Sequence, residues 1–200
     1  YADDLMIFTT TKRAAQRKYE RVSKFIEGKL KLKINKEKTK IARLREVKYL
    51  GYTFYSGKGG CRFRVHPNRI SKLKDKIRMV TGRSNGMSIE GRRIKLNQII
   101  RGWVQYFKMA DMKTIMTSFD EWLRRRIRMV TWKSWKKVKT KFINLQKLGV
   151  ATGNAWEWAN TRHSYWHTAN SWILTTTLTN ARFEKQGYLS FLKYYLEVRV

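Results

Sequence analysis

Apolar positions recur along the chain with two periods, and the change between them falls at His66-Pro67. Before it, Leu5, Met6, Ile7 and Phe8 form a short apolar run that predicts a strand. Thr9-Thr10-Thr11 then supplies a helix cap, and Ala15, Tyr19, Val22 and Ile26 recur at steps of three and four, with Gly28 as the stop. Leu30, Leu32 and Ile34 alternate with Lys31 and Lys33, which predicts a strand, followed by a turn at Asn35-Lys36 and a short strand over residues 39–42. Residues 47–54 are rich in β-formers. Gly57, Gly59 and Gly60 mark a turn, and Arg62-Phe63-Arg64-Val65 is the partner strand. Residues 1–65 thus read as an α+β piece, half of a sheet domain.

Beyond Pro67 the period is helical. Ile70, Leu73, Ile77 and Val80 form one face, and a break follows over residues 81–86. Ser88 caps a second helix with the face Leu96, Ile99, Trp103 and Phe107. A third helical region starts near Ser118, with a break near Thr131. Its stripe runs through Phe119, Trp122, Ile127, Val130, Trp135, Val138, Phe142 and Leu145, opposite Arg124, Arg125, Arg128, Lys136, Lys137 and Lys141. Gly149 ends it, so residues 66–148 read as a small helical bundle with a basic outer surface. Residues 149–200 are less regular, with helical pattern around 155–160, 165–180 and 189–195, and they hold Trp156, Trp158, Trp166 and Trp172. Core packing is the expected role of these rings rather than base stacking, because stacking platforms come with a basic groove.

Charge sharpens this division. The chain carries 45 Lys and Arg against 14 Asp and Glu, net +31. Residues 1–60 hold a net +10, residues 61–148 a net +19 and residues 149–200 only +2. With 42% hydrophobic and 14% aromatic residues the chain has enough apolar surface for a core, which argues against a disordered basic tail. A folded and very basic protein is most simply a polyanion binder. No long apolar run or signal-like segment points to a membrane. Cys61 is the one cysteine, which excludes an internal disulfide framework and fits a reducing cytoplasm. His66, His163 and His167 lack metal-ligand spacing and receive no ligand role.

The candidate chemistry lies at Tyr1-Ala2-Asp3-Asp4. Side chains on a strand alternate faces, so a tight turn is the place where both carboxylates project together. A divalent cation such as Mg²⁺ is the usual reason to hold neighbouring carboxylates close, and that is the equipment of two-metal phosphoryl transfer. The alternative is an exposed turn whose Asp residues favour the turn backbone.

The order of motifs resembles a known family. Tyr1-Ala2-Asp3-Asp4, then Leu30 to Thr39 with Ile34-Asn35 and Glu37-Lys38-Thr39, then Tyr49-Leu50-Gly51-Tyr52 is similar to the last blocks of a group II intron reverse transcriptase palm. Asn97-Gln98-Ile99-Ile100-Arg101-Gly102-Trp103 and the Arg-rich run before Trp132-Lys133-Ser134-Trp135-Lys136 resemble that family's maturase, or thumb, region. Tyr165-Trp166 and Gly187-Tyr188 resemble its C-terminal extension. The resemblance implies an α+β fold: the C-terminal half of a right-hand polymerase palm (1–65), an all-helical thumb or maturase X domain (66–148) and a helical extension (149–200). It also implies a chain cut from a longer protein, with a third catalytic Asp and the fingers upstream.

Residue roles follow from the same resemblance. Asp3 and Asp4 hold Mg²⁺. Tyr1, Leu50, Gly51 and Tyr52 form the primer grip, although Tyr1 reads equally as a core aromatic and Gly51 as a bulge residue. Lys38 lies near the incoming triphosphate, or else is one more solvated lysine. Arg101, Arg124, Arg125, Arg126, Arg128, Lys133, Lys136 and Lys137 bind RNA, with Gly102 letting helices approach and Trp103 filling the core. The implied partners are group II intron RNA, an RNA template with a DNA primer, deoxynucleoside triphosphates and a DNA target site, with no membrane, in a cytoplasmic ribonucleoprotein. The implied activities are RNA-directed DNA polymerisation and maturase assistance to splicing and retromobility, without DNA cleavage by these residues. The alternatives are a non-enzymatic RNA-binding splicing cofactor with an inactive palm, or another retroelement reverse transcriptase.

Overall fold

The computed structural model describes residues 5–57 and 59–199. It divides the chain into two compact units, residues 1–47 and residues 48–200.

The described part of the first unit is one helix and loops. Helix α1 spans Lys12–Gly28, and Thr11 caps it by accepting the Ala14 N–H at 3.1 Å. Its expected stripe is half-buried and no α1 residue is fully buried. The expected strand through Leu30, Leu32 and Ile34 is instead a loop. Two of its amides are spent closing the helix: Leu30 N–H donates to Phe25 O at 3.2 Å and Leu32 N–H to Ile26 O at 3.1 Å. Lys31 between them takes φ +56°, which no strand contains. Residues 5–8 and 39–42 are also irregular rather than extended ladder, and Leu5, Ile7 and Phe8 are exposed. Alternation provides a strand with a face, but a ladder also requires a neighbour for its backbone groups. A single 3₁₀ turn, Leu44–Glu46, ends the unit.

The second unit opens with a three-stranded antiparallel meander, β1 (Lys48–Tyr49), β2 (Tyr52–Gly57) and β3 (Gly60–Val65). Both connections are two-residue loops, set by the pairs Tyr49↔Tyr52 and Gly57↔Gly60. Among the described residues nine helices follow: α2 (Pro67–Val80), α3 (Ile89–Phe107), α4 (Lys113–Ser134), α5 (Val138–Lys147), α6 (Thr152–Ala159), α7 (Tyr165–Thr168), α8 (Trp172–Thr177), α9 (Asn180–Lys185) and α10 (Phe191–Val198). Pro67 opens α2 where its missing N–H costs nothing, and Ser88 caps α3 by accepting the Gly91 N–H at 3.0 Å.

Helix α4 departs from the expectation at both ends. It begins five residues earlier than Ser118, with Met112 at the N-cap and no side-chain cap bond. It also passes straight through Thr131 and breaks over residues 135–137. Buried Met112 and Met116 extend the stripe towards the N-terminus, but no capping residue announces the start.

One continuous core runs from Val65 through Leu73, Ile77, Leu96, Ile100, Phe119, Trp132 and Leu145 to Leu174, Phe191 and Tyr195. The meander and both helical stretches share this core. Of the four late tryptophans, Trp158 is buried, Trp166 half-buried, and Trp156 and Trp172 exposed. Among the described residues no helix is long and apolar enough to cross a membrane.

Candidate nucleic-acid interface

Tyr1, Asp3 and Asp4 lie outside the described residues. Lys38 is exposed, in a turn where the Asn35 carboxamide oxygen accepts the Glu37 and Lys38 N–H groups at 3.1 Å each. Among the described residues no three His, Cys, Asp or Glu side chains form a group that could hold a metal.

Leu50 and Gly51 form the β1–β2 turn, with φ +50° and +87°. A two-residue hairpin of this kind needs both central residues in the left-handed region. The sequence expectation gave Gly51 a bare backbone for nucleic acid to approach. The structure fills that space with the chain itself: a Cβ there would sit 2.9 Å from Arg69 Nε and 3.2 Å from Phe107 Cζ. The turn is clasped to the end of α3 by two reciprocal bonds. Tyr106 OH donates to Leu50 O at 2.9 Å, and Tyr52 OH donates to Tyr106 O at 2.5 Å, with the two rings stacked 6.2 Å apart. Burial first, then Tyr106, raises the Tyr52 phenol above its ordinary pKa.

The expected RNA-binding cations fall into two groups. Arg101, Lys136 and Lys137 are exposed, and Arg124 and Lys133 half-exposed. Arg125, Arg126 and Arg128 are hydrogen-bonded to the protein. Arg128 is buried, donating to Leu178 O at 2.9 Å and reaching Asn180 Oδ1 at 3.4 Å, so it lies on the inner side of α4 rather than on the outer basic face. Burial, then Arg124, lowers its pKa from the ordinary arginine value. Arg125 lies 3.9 Å from the centroid of the Trp166 ring and donates to Trp166 O at 3.0 and 3.2 Å. Arg126 donates from Nε to Thr81 Oγ1 at 2.5 Å. Gly102 is exposed and a Cβ there would meet nothing within 4 Å, so no helix approaches it; Trp103 is half-buried against Phe107 and Phe119.

Several polar anchors that position this surface carried no motif. Buried Arg92 ties the α2–α3 loop together, donating to Val80 O, Gly82 O, Met87 O and Asn85 Oδ1 at 2.7–3.0 Å. Asp120, 4% exposed on α4, accepts Ser190 Oγ at 2.6 Å, Phe191 N at 2.7 Å and Leu192 N at 3.0 Å, which caps α10. Asn97 of α3 accepts Leu189 N–H and donates to Gly187 O. The sequence signal available for Arg92 and Asp120 was a charge placed among apolar helix positions, since a buried charge requires partners.

The arrangement is a helical scaffold that carries many more cations than acids: 24 Lys and Arg against 5 Asp and Glu over residues 61–148. Its capacity is for phosphate contacts. Comparison with known families agrees. Residues 70–149 match the group II intron, maturase-specific domain, and residues 1–54 match the reverse transcriptase (RNA-dependent DNA polymerase) family. The two matches lie in that order along the chain and indicate the reverse transcriptase/maturase class. Together they support a relationship to group II intron reverse transcriptase/maturases. Comparison with curated proteins returns no match.

Proposed function

We propose that this chain supplies part of an RNA-directed DNA polymerase and the RNA-gripping region of a group II intron maturase. In this reading, residues 1–65 are the C-terminal part of a polymerase palm, and α2 to α10 are its thumb and extension. Asp3 and Asp4 would hold a divalent cation, which would supply charge neutralisation for phosphoryl transfer. Lys38 supplies positive charge to the triphosphate. The Leu50–Gly51 turn, held by Tyr52 and Tyr106, supports the primer terminus. The cationic helices bind intron RNA and stabilise its active fold in a cytoplasmic ribonucleoprotein.

The observation that carries this is the continuity of a reverse transcriptase match over residues 1–54 with a maturase-specific match over residues 70–149, the second lying on the most cationic part of the chain. The test replaces both acids, Asp3→Ala and Asp4→Ala, in the complete protein. Loss of cDNA synthesis with splicing retained is the expected result. Unchanged synthesis would show that the acids only form a turn. The 200-residue chain alone is expected to bind RNA and to extend a primer little or not at all.

A further inference from the structure

Two aromatic rings in the second unit each hold two cations. Arg78 and Arg126 place their Cζ atoms 5.8 and 5.3 Å from the centroid of the Trp122 ring. Arg83 Cζ and Lys133 Nζ lie 5.8 and 5.0 Å from the centroid of the Tyr165 ring. Trp122, Arg126 and Lys133 stand on α4 at steps of four and seven, a single helical face. Arg78 is in the last turn of α2, Arg83 in the loop after it, and Tyr165 opens α7. Four separate pieces of chain therefore converge to bring like charges together.

Like charges sharing one ring repel, and the usual remedy is an interspersed acid. Among the described residues the one acid paired with any of the four is Asp75, 2.7 Å from Arg78 and itself largely exposed. The rings supply the remaining attraction. A cation over an aromatic face gains about 0.5–1 kcal/mol at an exposed site, which fixes its position without neutralising its charge. Arg126 is fixed further by its bond to Thr81. Burial, then the Arg78 charge, lowers its pKa, yet a guanidinium stays protonated throughout the working range. Both rings are half-buried, so they serve as supports for the cations; a stacking base would first have to displace two of them.

We propose that Trp122 and Tyr165 support two preorganised cation pairs, Arg78 with Arg126 and Arg83 with Lys133, that grip neighbouring phosphates of an RNA backbone without reading base identity. This rests on the RNA-binding function proposed above and locates it. A guanidinium held by its face keeps edge donors for phosphate oxygens. Contacts to the phosphodiester position a nucleic acid but carry no sequence information.

The test compares pairs that remove the same charge. Arg78→Gln/Arg126→Gln and Arg83→Gln/Lys133→Gln are the site variants. Lys72→Gln/Lys76→Gln, on exposed α2 positions, is the control. Binding of two labelled RNAs of unrelated sequence is followed by anisotropy across a salt series. Each site pair is expected to make the slope of log K against log salt shallower by about 1–2 and to weaken both RNAs alike, by roughly tenfold. The control is expected to do markedly less. Equal loss in the control would reduce the effect to net charge and overturn the site, while leaving RNA binding itself intact. Loss confined to one RNA would overturn the claim that bases are not read. A parent chain that binds neither RNA would overturn the function as well. Because Arg126 also bonds Thr81, circular dichroism checks its folding, and the Arg83/Lys133 pair decides the matter alone if that variant misfolds.

Discussion

Asp120→Ala removes the acceptor on which the start of α10 depends. Three donors converge on its carboxylate, at 2.6, 2.7 and 3.0 Å. Phe191 is fully buried, so its amide would have no route to water, whereas Ser190 and Leu192 are partly exposed and would hydrate. An unsatisfied buried donor costs about 1–3 kcal/mol. Adding a fraction for the two hydratable groups gives a loss of about 2–4 kcal/mol. Ser190 would still cap the Lys193 N–H, which keeps the estimate below the full loss of a buried charge network. For a unit of this size that corresponds to a fall in Tm of roughly 5–15 °C. All eight tryptophans lie in the second unit, so tryptophan fluorescence during heating or urea titration reports that unit alone. Asp120→Asn keeps one accepting oxygen but turns an NH₂ group towards the remaining donors, so its loss should be real yet smaller than that of the Ala variant. An Ala variant within about 0.5 kcal/mol of the parent, or an Asn variant less stable than the Ala variant, would refute this account of α10.

The remaining predictions concern the meander. Gly51→Ala puts a Cβ at φ +87° and within 2.9 Å of Arg69 Nε, a combined cost of about 1–3 kcal/mol that thermal unfolding should read as a lower Tm; an unchanged Tm would mean the turn re-forms elsewhere. Asp111 receives hydrogen bonds from Tyr55, Arg62 and Arg199 at 2.6–2.7 Å. Burial alone would raise its pKa, but the Tyr55 and Arg199 bonds together with Arg62 outweigh that and lower it. A carboxylate depressed in the folded state contributes stability above its unfolded pKa, near 3.9, and loses it as pH falls through the folded value. The parent's Tm advantage over Asp111→Asn should therefore be full at pH 6 and shrink towards pH 3; an advantage independent of pH would contradict the assignment.

Much of the helical half was legible because its signals are local. The stripe through Ile70, Leu73, Ile77 and Val80, the Pro67 start and the Ser88 cap each depend on residues within two turns of one another. The β2–β3 hairpin was legible for the same reason, since Gly57, Gly59 and Gly60 mark its turn, but residues 47–54 read as one β-rich stretch with Gly51 as a bulge, and the chain instead turns at Leu50–Gly51 between β1 and β2. What failed depended on partners distant in the chain. Leu30, Leu32 and Ile34 alternate like a strand, but alternation cannot report that the Leu30 and Leu32 amides already close α1. Arg128 sits in an Arg-rich run that reads as a solvated face, and only its acceptors at Leu178 and Asn180, some fifty positions later, draw it inward. The cation pairs on Trp122 and Tyr165 were hidden likewise, because each ring gathers side chains from two or more elements.

Tyr195 sits in the centre of the second unit, its hydroxyl donating to Ala110 O at 2.7 Å and accepting the Met112 N–H at 3.3 Å. The nearly neutral tail that contributes it follows residue 149, where the maturase-specific match stops. A frameshift late in the reading frame would leave every cation of the proposed grip encoded, yet it would strip away the wedge against which α3 and α4 close. Such an allele should behave as a null for RNA binding although no contact residue has been altered.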